Sequence, residues 1–121
     1  MATFSKQLLS GSTGGKAIKV AATATPGTTI HATGTSSTAI DEVWLYAVNS
    51  SASDVKLTIE YGGTTDPDDL VEFTVTAESG LYLVVPGTVL TGDGTSARTI
   101  RAFAATADVI NILGYVNRIT P

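Results

Sequence analysis

Residues 41–63 read DEVWLYAVNSSASDVKLTIEYGG and hold two strand-like runs joined by a short Asn/Ser/Ala/Ser/Asp connection. That arrangement predicts a β-hairpin. The first run, Val43 to Val48, is apolar at every position, which predicts a strand covered on both faces. In the second, Val55, Leu57, Ile59 and Tyr61 alternate with Lys56, Thr58 and Glu60, so one face is expected to pack inward and the other to meet water. A chain with its best-patterned stretch in such a unit is building a sheet scaffold.

The same grammar continues outward in both directions. Downstream lie an acidic loop, GGTTDPDD, and a half-buried strand in which Val71, Phe73 and Val75 alternate with Glu72, Thr74 and Thr76. Leu81 to Val85 is continuously apolar and ends at Pro86-Gly87, with Val89-Leu90 extending it after a bend. Arg98 to Ala105 and Asp108 to Ile119 complete the series, and Gly114 inside the last run marks a bulge or a close approach by another backbone. Upstream, Ala17 to Thr25 and Thr28 to Thr33 are strands separated by the turn pair Pro26-Gly27. About eight short strands at this spacing predict an all-β protein, an antiparallel β-sandwich of jelly-roll-like topology. Residues 1–16 end in a Ser/Gly/Thr tract and read as a short flexible N-terminal arm and linker, leaving 17–121 as the sandwich domain. Any helix is confined to a turn near Phe4 to Leu9.

At 121 residues one domain is expected, and the absence of cysteine excludes disulfides, zinc-thiolate sites and a cysteine nucleophile. No apolar run approaches the roughly 20 residues needed to cross a bilayer, and the N-terminus lacks the apolar core of a signal peptide. The expectation is a soluble protein not secreted by the usual route. Met1 to Ile40 carries Lys6, Lys16 and Lys19 and no acid, while the remainder holds all 11 acidic residues against Lys56, Arg98, Arg101 and Arg118. A basic leading segment on an acidic body suits contact with an acidic neighbour and argues against nucleic acid as a partner.

Candidate chemistry is sparse. GSTGGKA at Gly11 to Ala17 falls one residue short of a phosphate-binding loop, lacks the Ser or Thr after the lysine and has no strand before it. Asp66, Asp68, Asp69 and Glu72 gather carboxylates without the spacing of a calcium loop, so a solvated turn is the better reading there, and Asp93 between glycines reads likewise. His31, the sole histidine, would have to anchor any Ser/His/Asp arrangement, yet it sits in a Thr-rich strand without a nucleophile elbow. Trp44 and Tyr46 share one face of their strand and suit a core or subunit interface, or else a sugar-stacking platform. No catalytic residue, metal site or cofactor is expected, and the chain does not read as an enzyme.

The runs EVWLYAVNSSASDVKLTIEYGG, LYLVVPG and RAFAATADVINILGYVNRIT, with the leading FSKQLLSGSTGGKAIKVAATATPGTTIHA, resemble small virion proteins of tailed bacteriophages, of the kind that decorate or cement the capsid. The likeness covers nearly the whole chain. It implies a homo-oligomer, a trimer or a dimer, on the outside of the shell, made in the host cytoplasm and bound to the major capsid protein, without nucleic acid or membrane as partner. Phe4, Lys6, Leu8, Leu9 and Lys16 of the arm, with Trp44 and Tyr46 of the first apolar strand, are then the expected interface residues. A tail or neck structural protein, or a carbohydrate-binding sandwich with Trp44 and Tyr46 as its platform, are the alternatives.

Overall fold

Alternation of side chains along extended segments gives each strand one face for a core, and with no helix among the described residues to cover it a sheet hides that face against a second sheet. The computed structural model describes residues 2–121, among which nine strands form. They are β1 (Thr3–Leu8), β2 (Ile18–Lys19), β3 (Thr28–Ala32), β4 (Ile40–Asn49), β5 (Val55–Tyr61), β6 (Leu70–Val75), β7 (Tyr82–Leu90), β8 (Thr99–Ala104) and β9 (Ile110–Thr120). One antiparallel sheet runs β1-β9-β4-β7, with β2 also on β9; the other runs β3-β8-β5-β6. The orders β2-β9-β4-β7 and β3-β8-β5-β6 are those of an eight-stranded jelly roll, to which β1 is added along β9. The antiparallel sandwich expected from the alternation is therefore present.

Between the sheets lie Val43, Leu45, Ala47, Ile112 and Val116 from the first and Ile30, Leu57, Ile59, Ile100 and Ala102 from the second, all buried. Each large aliphatic side chain taken fully out of water contributes about 1.5–3 kcal/mol before entropic costs, and with no disulfide this core is the main source of stability.

Residues 41–63 do not form a hairpin. β4 lies in the first sheet and β5 in the second, so their connection crosses the end of the sandwich. Buried Asn49 directs that crossing: its amide donates to the carbonyls of Ser53 (2.8 Å) and Val75 (2.9 Å), and its Oδ1 accepts from the Ser51 N–H (2.9 Å). The turn is thus fastened to β6 of the opposite sheet. β5 instead forms its hairpin with β6 through the acidic loop. Nor is β4 covered on both faces: Asp41, Val43, Leu45, Ala47 and Asn49 point inward and are buried, while Ile40, Glu42, Trp44, Tyr46 and Val48 alternate with them and are half-exposed. The expected water-facing side of β5 is corrected too, since Thr58 and Glu60 are buried on it.

The N-terminal segment is a strand and not a helical turn. Phe4, Lys6 and Leu8 alternate with Ser5 and Gln7, a period-two pattern that β9 completes by pairing from Thr3↔Thr120 to Leu8↔Tyr115. Met1, counted with the expected arm, lies outside the described residues. After β1 the chain drops across to the second sheet, where the Gly11 N–H donates to the Ile30 carbonyl at 2.9 Å.

Two glycines hold backbones close. At Gly114 a Cβ would collide with the Trp44 carbonyl of the paired strand, the close approach its place in the run implies. Gly87 has φ 80°, and a Cβ there would lie 2.7 Å from Trp44 Cζ2, so the indole rests directly on the backbone of β7. The strand runs through Pro86-Gly87 with register shifts, which an edge strand tolerates.

Candidate functional site

The outer face of the first sheet gathers most of the exposed apolar side chains. Strand registers arrange it in rows. Phe4, Ile119 and Ile40 form one, Lys6, Asn117 and Glu42 the next, and Leu8, Tyr115 and Trp44 the third. Leu113 beside Tyr46 and Asn111 beside Val48 continue it. On β7, Leu83, Pro86 and Val89 extend the same rows. Phe4 is 70% exposed and Leu8 59%, values far from those of core residues. A contiguous apolar face of this kind is the candidate interaction surface of the chain.

The aromatic centre is held in place. Trp44 and Tyr115 stack at 6.3 Å between centroids and 16° between planes, and the Lys6 ammonium lies 4.6 Å from the centre of the Tyr115 ring. Glu42 Oε1 accepts from the Trp44 indole N–H (2.8 Å) and from the Asn117 amide (2.9 Å). Those two hydrogen bonds, the indole's first, hold the Glu42 carboxyl below its ordinary value, so it is a charged group which, with Lys6, sits in a polar row between apolar ones. Among the described residues neither Lys6 nor Glu42 has an ion-pair partner.

Of the residues expected at an interface, Phe4, Lys6, Leu8, Trp44 and Tyr46 share this face. Leu9 does not. It is 1% exposed and belongs to the core, because the chain leaves the sheet there and tucks the side chain between the layers. Lys16 sits exposed at the end of a turn closed by its N–H on the Thr13 carbonyl. Leu113, Tyr115, Asn117 and Ile119, which complete the face, escaped the sequence reading. Their signal was present as alternation along β9, obscured because its inward positions, Ile112 and Val116, are apolar as well.

His31 occupies a different place. A register shift in β3 lets both Ile30 and His31 turn inward, and His31 Nε2 meets Asp41 Oδ2 at 2.7 Å across the gap between sheets. Arg118 grips the same carboxylate from β9 with Nε at 2.7 Å and a terminal nitrogen at 2.9 Å. Burial pushes the Asp41 carboxyl up, but the hydrogen bonds from Arg118 and His31 outweigh it and hold it below its ordinary value. His31 Nδ1 accepts the backbone N–H of Ser10 at 3.0 Å, so its lone pair is engaged by the main chain and the Ser10 hydroxyl is engaged by the Ala32 N–H. The group joins both sheets and the segment that follows β1. It has the residue types of a hydrolytic triad in the geometry of a clamp.

The remaining candidates are occupied locally. In the Gly11–Gly15 tract the Ser12 hydroxyl accepts the Gly15 N–H at 3.3 Å and donates to the Leu9 carbonyl at 2.7 Å, a folded turn. β1 does lead into it, which corrects the expectation of no strand there, but the next element is the strand β2 and not the helix a phosphate-binding loop opens. Asp69 turns back onto the Thr65 N–H (3.0 Å), and among the described residues no three of His, Cys, Asp and Glu converge to hold a metal ion. Asp93 accepts the N–H groups of Thr95 (2.8 Å) and Ser96 (2.6 Å), as its place between glycines implies. An apolar cavity of about 220 Å³ opens where β6 and β7 diverge, lined by Val71, Val84, Val85 and Pro86. Its hydroxyls, on Tyr61 and Thr88, hydrogen-bond each other at 2.8 Å and leave little to orient a ligand.

No protein-family model, no curated protein and no solved structure matches this chain.

Proposed function

We propose that this chain is a structural virion protein that decorates and stabilises a tailed-phage capsid as a homo-oligomer, with its N-terminal segment contacting the capsid protein or a neighbouring protomer. The observation that carries the reading is the apolar outer face of the first sheet, on which Phe4 of the N-terminal strand lies in register with Ile119 and Ile40, and Leu8 with Tyr115 and Trp44. A decoration protein needs a rigid scaffold with one adhesive side, and repetition on a lattice turns a modest contact into a firm one. Lys6, Lys16 and Lys19 give the leading segment a positive bias toward an acidic neighbour. The likeness in sequence pattern to phage decoration proteins supplies the particle.

Purified protein added to undecorated capsids tests this directly: the full chain is expected to bind and a variant lacking residues 1–8 to bind at least about tenfold more weakly. Equal binding by both refutes the role of the segment, and no binding by either refutes the capsid. Density placed on a tail or neck would move the chain within the particle.

A second reading has one observation in its favour. Trp44 and Tyr46 stand half-exposed on an open face with Tyr115 stacked beside the indole, which suits a carbohydrate platform. Acrylamide quenching of Trp44 in the decorated particle separates the two. Strong quenching, relieved by an added oligosaccharide, supports the platform, and weak quenching supports a buried interface.

A further inference from the structure

The adhesive face matches itself. We propose that the β1-β9-β4 surface binds a second copy of this chain about a two-fold axis that runs parallel to the strands and over β9. This deepens the homo-oligomer half of the proposed function and does not depend on the capsid half.

An axis parallel to the strands keeps each row opposite the same row and exchanges the strands on either side of the axis. With the axis over β9, Tyr115, Asn117 and Ile119 face their own counterparts, and β1 faces the partner's β4. Leu8 then lies over the partner's Trp44, and Phe4 lies over the partner's Ile40. The row between them decides the matter. Lys6 lies over the partner's Glu42, and Glu42 over the partner's Lys6, so both charges of that row are paired, twice, by one operation. Lys19, level with Asn111 in the last row, lies over the partner's Val48 at the rim, where its long side chain carries the ammonium out to water.

Other axes leave charges stranded. Moving the axis to the gap between β9 and β4 puts Lys6 over the partner's Val89 and Glu42 over the partner's Asn117. Turning the axis across the strands, through the Trp44 row, puts Glu42 over the partner's Tyr46. Desolvating an unpaired charge is costly, so the arrangement that pairs Lys6 with Glu42 wins. Packed sheets cross at about 30°, an offset near the axis that a lysine side chain spans.

With strands about 4.8 Å apart and rows about 6.8 Å apart, five rows on β9 and β4 and three on β1 make a flat footprint of roughly 420 Å². That is below the ~800 Å² per partner of a standard stable interface, so the self-association is expected to be weak and reversible.

Light scattering and sedimentation equilibrium on the free full chain, up to about 100 µM at low salt, test the proposal without any capsid. The expected result is a dimer. Lys6→Glu should weaken it at least about tenfold, Glu42→Lys likewise, and the double reversal should restore it to within about threefold. Glu42→Gln, which keeps an acceptor for Trp44 and Asn117, should weaken dimerisation while leaving thermal unfolding of dilute protein unchanged, so that loss of association is read apart from loss of folding. A monomer at the highest concentration, a trimer, unaffected single reversals, or a double reversal that restores nothing each overturns the pairing. A dimer that fails to bind capsids overturns the proposed particle and leaves this interface standing.

Discussion

The two sheets turn opposite chemistry outward. On the first sheet the outward residues of β4 are Trp44, Tyr46 and Val48, half-exposed and apolar. On the second, the outward residues of β5 are Lys56, Thr58 and Glu60, polar, and two of them are buried. The reason lies in what crosses each face. The segment between β2 and β3 folds over the second sheet, where Glu60 accepts from the Thr25 hydroxyl at 2.6 Å and the Gly27 N–H at 2.7 Å, and the Ala104 N–H donates to the Ala22 carbonyl at 3.1 Å. Beyond that flap, Lys56 and Glu72 pair in water. Among the described residues no segment folds over the outer face of the first sheet. The protein covers its polar side for itself and leaves its apolar side open, and that open side is the one the proposed partner would cover.

The comparison makes the polar face matter more to the monomer than the apolar one. The bridge between the sheets sets the scale: Asp41→Ala strands His31 and Arg118 and should cost about 3 kcal/mol in urea unfolding, the low end for a buried pair because Arg118 reaches solvent. Asp41 also fixes a pH response. A carboxyl held below its ordinary 3.8 adds stability above that value and loses it as pH falls through the lowered one. Unfolding followed below about pH 4 should show the native chain losing stability and Asp41→Asn losing less. Next, Glu60→Ala leaves the buried Gly27 N–H without its acceptor and should cost about 2 kcal/mol, with hydrogen exchange rising at Ala22 and Gly27. If it is silent, the flap is not what sets the faces apart. Trp44→Ser should cost dilute protein only about 1 kcal/mol, yet abolish self-association in the concentration range where the native chain pairs. A larger loss of stability than at Glu60 would reverse the contrast. The smallest effect belongs to Glu72→Ala, about 0.5 kcal/mol or less and fading with added salt, since both partners of that pair are half in water.

Most strand positions were legible because period-two alternation survives in short windows, and Val55 to Tyr61 falls within one observed strand, whereas Thr3–Leu8 was missed and the expected strand Ala17 to Thr25 shrinks to Ile18–Lys19. The partner of each strand was not. Asn49 to Asp54 has the residues of a hairpin turn, but the same residues serve a crossing between layers, and the deciding contact, Asn49 to the Val75 carbonyl, is 26 residues away. The continuous apolar run of β4 had two physical meanings, a strand hidden on both sides or a strand whose second side awaits a partner. Sequence pattern reads apolarity and not what covers it. Glu60 failed in the opposite sense, as a polar residue in a water-facing position buried by a flap 33 residues upstream. His31 was conspicuous as the sole histidine, whereas Arg118, 77 residues from Asp41, became its neighbour only once β9 lay beside β4.

The register of β1 on β9 has a mechanical side. Thr3 stands opposite Thr120, so a load applied between these two residues opens the ladder from its end, one pair after another, instead of shearing all of it at once. Such peeling meets little resistance until it reaches Leu8. Beyond that point Leu9 is anchored in the core and Ser10 is fastened to His31, so the tear stops there. Under tension the strand bearing Phe4, Lys6 and Leu8 yields first, as a compliant tether in front of a sandwich that stays closed.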